Sequence, residues 1–314
     1  MNNLDNKRIG IFLAVAFGWA WAASGLVYAL GGLSNPYFTL ITAVLIMPAP
    51  AIAHIVTRLL TGEGRQGLWL QPYLRRGWPF WLLAWLGTAV LLLLGAALFF
   101  LLRPDLFDPN LTQFSLLLEQ TAAQAGSPLP MSPQMLLMVQ VIAALGPAIL
   151  INAPFMLGEE FGWRAYLQPK LMPLGPRRAM LLMGIIWGVW HAPIIMMGYN
   201  YGFDYPGAPW TGILAMCWMT LNVGTWLGWL TWRAGSVWPA VIGHAILNGF
   251  GPIALVFTLP DFPSLIGPAV TGVVGGLGFL LVTLVLLARP SLWEAGGLPE
   301  QEVATATEEA SIVD

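Results

Sequence analysis

Long, nearly unbroken runs of apolar residues alternate along this chain with short polar clusters, and the runs have the length of membrane-crossing helices. A bilayer core about 30 Å thick is spanned by about 20 apolar residues in a helix. Such runs fall near residues 9–31, 38–60, 79–102, 134–168, 179–198, 210–232, 236–258 and 264–288. They predict an all-α, polytopic membrane helix bundle with about eight transmembrane helices. The fourth run is too long for one straight crossing, since at about 1.5 Å per residue it would extend about 50 Å. Pro147 and Pro154 are the places to kink or divide it. Residues 1–290 read as a single transmembrane helical domain. Residues 291–314, with Glu294, Glu300, Glu302, Glu308, Glu309 and Asp314 among small residues, read as a disordered acidic tail.

Charge sharpens this picture. Only 9% of the residues are charged, against roughly 25% in soluble domains, so the soluble class is excluded. No basic cluster suggests nucleic acid; membrane lipid is the expected surrounding partner, and the oligomeric state is left open. The single cysteine, Cys217, excludes an internal disulfide and any multi-cysteine metal site, and reads as a small buried apolar residue. Lys7 and Arg8 precede the first run, which reads as a retained helix rather than a cleaved signal. With eight spans and a cytoplasmic N-terminus, every Lys and Arg except Arg103 falls on the cytoplasmic side. The expected placement is therefore a multi-pass protein with both termini cytoplasmic, in a bacterial or archaeal cell membrane. Residues 103–133 read as an external loop with short helical pieces. The aromatic stretch 199–210 reads as an interfacial belt or a gate over a site.

Against this apolar background a few polar residues stand out. Glu159 and Glu160 are adjacent, His191 interrupts one run, and His244 with Asn248 interrupts another. Polar and ionisable groups at membrane depth are expected to face one another or a wet cavity. Counted from Pro169, Arg178 and Arg233, the three positions lie about 15–20 Å along their helices. They therefore share a depth, and the expected cavity opens towards the cytoplasm. Glu160 and Arg164 stand four residues apart on a helix and can form an ion pair. Glu159 is rotated by about 100° from Glu160 and is freer to face a cavity. His244 and Asn248, also four apart, can address one ligand. Peptide hydrolysis needs an activated water and a stabilised oxyanion. Glu159 is the candidate general base, beside Glu160, and His191 the group that orients the water. His244 and Asn248 are the candidate oxyanion donors. The rival chemistry uses zinc or another divalent metal, with Glu159, His191 and His244 as candidate ligands. HExxH is absent, and the favoured reading requires no cofactor. His54, with only Arg58 near it in sequence, reads as a packing residue. Two other classes compete: a non-proteolytic immunity or scaffold protein, and a transporter with a proton relay.

These residues also carry a resemblance. Glu159-Glu160-Phe161-Gly162-Trp163-Arg164 has the form EExxxR, Trp187-Gly188-Val189-Trp190-His191 is similar to FxxxH, and His244-Ala245-Ile246-Leu247-Asn248 has the form HxxxN. In this order, over roughly residues 155–255, the chain resembles the CPBP (CAAX protease and bacteriocin-processing, or Abi) family of intramembrane proteases, which includes the CAAX prenyl endopeptidases. The resemblance implies an all-helical fold, Glu159 and His191 as water activators, and His244 with Asn248 as the oxyanion site. It implies a peptide or lipidated protein as substrate, prenylated or not. Trp187 departs from the family's Phe at that motif position, changing bulk beside the site.

Overall fold

In the computed structural model the protein is described over residues 4–294 and 296–298; all but the first few residues of the expected acidic tail lie outside them. Among the described residues the secondary structure is helical, with one isolated antiparallel bridge between Phe107 and Thr258. Five helices are long and apolar enough to cross a membrane: α1 (Asn6–Ala29), α2 (Phe38–Thr61), α3 (Leu74–Leu102), α9 (Trp210–Ala234) and α10 (Trp238–Val256). The bent pair α5 (Pro133–Leu145) and α6 (Pro147–Leu174) makes a sixth candidate when it is taken as one span. Between α3 and α5 lies α4 (Thr112–Gln124); between α6 and α9 lie α7 (Pro176–Trp190) and the short α8 (Ala192–Met196); the last long helix is α11 (Leu277–Ala288).

The polytopic helical class stands and eight spans is an approximation to it: three of the apolar runs are not single long helices, for reasons local to the backbone. The run 134–168 is divided at Gly146, where the axis bends by 50°. Pro147 opens the second half because its missing N–H costs nothing in a first helical turn. The run 179–198 breaks at His191, since Pro193 has no N–H to continue the ladder; the His191 N–H bonds back to Gly188 instead. The run 264–288 is helical only from Leu277. Residues 264–276 instead form a coil closed by its own bonds, Val273 N–H to Leu265 C=O at 2.8 Å and Gly275 N–H to Gly267 C=O at 3.1 Å. Hydropathy registers how apolar this segment is and is blind to its helix-breaking glycines. Irregular backbone at membrane depth is tolerated where it lines a cavity, and residues of this coil line one of about 590 Å³.

Close helix approach sets the register of the core. Gly184 and Gly188 put one face of α7 directly on α9; a methyl group at these positions would lie 2.5 Å from Leu221 Cα and 2.6 Å from Cys217 Cα. Small residues of this kind let helices pack where lipid supplies no hydrophobic drive. Cys217, half-buried, lies beneath Gly188 rather than in the core proper. Gly162 does the same for α6 against Pro50 of α2. Single π turns interrupt α2 at Thr42–Ile46, α3 at Leu83–Gly87 and α6 at Trp163–Leu167, the last immediately after the glutamate pair.

Two ends of the bundle differ in kind. At one, Glu63 receives Lys170 at 2.6 Å and Arg8 at 3.1 Å. There too, Arg177 bonds the Leu287 carbonyl and Arg233 the Leu292 carbonyl. At the other, Phe38 packs against Tyr199 with the ring planes tilted by 43°, the Tyr201 hydroxyl bonds Thr271 C=O at 2.9 Å, and Asp108 N–H bonds Phe257 C=O at 2.8 Å.

Gly188→Ala should lower thermal stability in detergent, because overpacking a close crossing costs about 1–3 kcal/mol. Gly18→Ala, where nothing lies within 4 Å of the added methyl, should leave the melting temperature unchanged. Equal melting temperatures for both variants would refute the crossing's role.

Candidate active site

Glu159 and Glu160 lie near the middle of α6, on a helix that Gly162 presses against α2. Their roles separate by direction. Glu159 lines a cavity of about 590 Å³, together with Trp187, His191, His244, Asn248 and Asn152. Glu160 stands behind the wall, 0% exposed, and Arg164 beside it is 1% exposed. One terminal nitrogen of Arg164 is 3.2 Å from Glu160 Oε1 and 3.1 Å from Oε2. His244 Nδ1 is 2.7 Å from Glu160 Oε1.

These contacts assign the hydrogens. A carboxylate paired with a guanidinium only accepts, so His244 Nδ1 carries the proton and donates to it. That leaves His244 Nε2 for the cavity. His191 obeys the same logic: its Nδ1 lies 2.7 Å from the Trp187 carbonyl, which can only accept, leaving its Nε2 free. The Trp187 indole N–H donates to Glu159 Oε2 at 3.0 Å, which leaves Oε1 as that carboxyl's less committed oxygen. The face of the same indole carries the Arg164 guanidinium, 4.2 Å from the ring centroid. Asn248 Nδ2 reaches only the Met156 thioether, at 3.3 Å, a weak acceptor that a stronger one would displace.

The structure thus gathers Glu159, His191, His244 and Asn248 at one cavity and sets Glu160 and Arg164 behind it. It sets His54 elsewhere: fully buried between α2 and α6, with Nδ1 on the Phe161 carbonyl at 2.8 Å and Nε2 accepting from Arg58 at 2.6 Å. Reading by sequence passed over three features. Trp187 was seen as bulk, but its ring nitrogen touches a candidate base. Asn152, two helical turns before Glu159, shares its face; that i, i+7 spacing was legible. The coil 262–271 supplies the far wall with Phe262, Ser264 and Thr271, and no periodicity announces it. Tyr199 and Asn200, from the aromatic stretch 199–210, also line the cavity.

One expectation is overturned. The cavity does not lie on the side of the basic residues. On α2 it touches positions 38–47, on α6 152–159, on α9 216–219 and on α10 244–255. All belong to the half away from Arg8, Arg58, Lys170 and Arg233. Counting residues gave a depth of about 15–20 Å, which is past the midplane of a core about 30 Å thick, and depth alone does not say which end is open. Among the described residues no group of three or more His, Cys, Asp or Glu side chains is gathered as a metal cluster.

Residues 132–250 match the family described as Type II CAAX prenyl endopeptidase Rce1-like. This segment, which carries Glu159, His191, His244 and Asn248, is similar to that family. Over 103 residues it is 30% identical to the CAAX prenyl protease 2 of Methanococcus maripaludis, covering 32% of this chain and 36% of that protein. The match thus spans about a third of that relative's length. The family resemblance carried by the three motifs is borne out over this segment, and with the apolar helices it makes the chain an integral membrane protein.

Replacing Trp187 by Phe keeps an aromatic ring against Arg164 and removes the donor to Glu159. Hydrogen bonds to charged groups contribute about 1.5–3 kcal/mol. If Glu159 is the base, kcat should fall about tenfold or more while KM stays within about twofold. The isosteric benzothienylalanine, which lacks only the N–H, should behave like Phe; full activity in either variant would remove Trp187 from the positioning of Glu159.

Proposed function

We propose that this protein is an intramembrane endopeptidase that hydrolyses a peptide bond of a membrane-associated substrate with a water activated by Glu159. The observation that carries the reading is the convergence on one cavity of a carboxylate, two imidazole Nε2 atoms and a weakly held amide, contributed by three separate helices.

The division of labour follows from the hydrogens. Glu159 Oε1 and His191 Nε2 are both acceptors, so together they hold the two hydrogens of one water and aim its lone pair. As that oxygen bonds to the substrate carbonyl carbon, its proton passes to Glu159 and the carbonyl oxygen becomes an oxyanion. Asn248 Nδ2 donates to it. His244 serves the same oxyanion when its ring carries both hydrogens, since its Nδ1 is already bonded to Glu160. The C–N bond then breaks as Glu159 returns the proton to the leaving nitrogen. Each proton taken is given back, and no step calls on a metal.

The substrate class draws on the relatives. The matching CAAX prenyl endopeptidase family and the CAAX prenyl protease among the relatives support a prenylated CAAX-type protein. The cavity supports any extended peptide that enters the bilayer: its walls are mostly aromatic and aliphatic, with polar groups at one place.

Purified protein should cleave a fluorogenic peptide held in lipid. Glu159→Ala should lose about 10²–10⁴ of the rate, and His244→Ala and Asn248→Ala about 10²–10³ each. Rates unchanged in Glu159→Ala and His244→Ala would eliminate the site. Loss of cleavage in Glu159→Ala with an intact cellular phenotype would favour a scaffold or immunity role. Activity abolished by a chelator and restored by zinc would replace the water-activating role of Glu159 with a metal.

A further inference from the structure

The cavity occupies one half of the bundle on every helix that lines it, and the charges occupy the other. At the charged end the way in is blocked: Trp163 and Tyr166 are fully buried, Gln168 Nε2 bonds the Gly228 carbonyl at 2.9 Å, and the Lys170–Glu63 pair closes over Tyr166. At the far end the wall is loop: the stretch 199–205 is latched to the coil 262–276 by Tyr201 with Thr271 and by Ser264 with the Tyr201 carbonyl. That wall sets Ser264 and Thr271 on the cavity, within irregular backbone whose polar groups lipid cannot satisfy.

Basic residues mark the cytoplasmic face of a membrane protein when they lie in short loops and near helix ends. Here the closed end carries Arg8, Arg58, Arg65, Lys170, Arg177 and Arg233, whereas Arg103, paired with Asp105 at 2.7 Å, stands alone at the open end. We propose that the reaction cavity opens to the non-cytoplasmic face, and that it receives a polypeptide segment presented from the outer half of the bilayer. The access half of this statement stands on geometry and charge; the polypeptide half rests on the endopeptidase reading. A lipidated protein on the cytoplasmic surface meets the plugged end of the bundle. An exported or membrane-spanning chain meets the loop-walled end directly.

Cysteine accessibility tests the two halves separately. In a Cys217→Ala background, Ser264→Cys and Thr271→Cys report the cavity wall, Glu119→Cys the loop end and Arg65→Cys the basic end. A membrane-impermeant maleimide added to intact cells should label the first three and reach Arg65→Cys only after permeabilisation. Size-exclusion chromatography in detergent verifies that each variant is folded, and two cavity probes guard against the loss of one. Labelling of Arg65→Cys in intact cells would overturn the orientation. Cavity cysteines that react only from the side of Arg65→Cys, or from neither side, would overturn the access route. Proteoliposomes of known orientation, with a reporter peptide on one face at a time, should cleave at least tenfold faster from the outer face. Faster cleavage from the inner face overturns the proposal; absence of cleavage on both faces with the expected labelling removes the endopeptidase reading and leaves the access route standing.

Discussion

A single buried carboxylate, Glu160, holds this site together. It is fully enclosed in an apolar bundle, where an unpaired charge is costly, and its partners come from its own helix and from α10. Removing one partner of such a buried pair typically costs about 3–5 kcal/mol, because the remaining charge is stranded. Arg164 and His244 are therefore held by more than packing. The same contact that satisfies Glu160 pins the His244 ring and dictates which of its nitrogens meets the cavity.

From that point the arrangement spreads by shared side chains. Arg164 lies against the Trp187 indole, the indole N–H donates to Glu159, and the Trp187 carbonyl accepts a hydrogen bond from His191 Nδ1. One residue on α7 thus orients groups on two helices, and it occupies the position where the resembling family has Phe. A Phe there would fill the space and leave Glu159 without that donor. The pattern fits a site whose precision comes from hydrogen bonds made once in a dry interior, with the helix crossings at Gly184 and Gly188 bringing the partners within reach.

The outer wall is built on another principle. Where α6, α7 and α10 present side chains from regular helix, the segment 262–276 presents turns, braced internally and by Tyr201. Such a wall can be specific in shape without being apolar throughout. The opposite end is packed with aromatic rings and ion pairs, so charge and packing are both asymmetric along the bundle.

Much of this was legible in the order of residues alone. The apolar runs required a helical membrane protein, because a backbone in lipid must satisfy itself. The i, i+4 spacings paired Glu160 with Arg164 and put His244 and Asn248 on one face, since helical geometry is local. The breaks at Gly146 and His191 were written in Pro147 and Pro193. What tertiary structure decided is what no local rule contains: that Glu160 turns inward to His244 while Glu159 turns to the cavity, that Trp187 donates to it, that residues 264–276 coil instead of forming helix, and which half of the bundle holds the cavity. Each depends on what another, distant helix places opposite, and periodicity along one helix records only which residues share its faces.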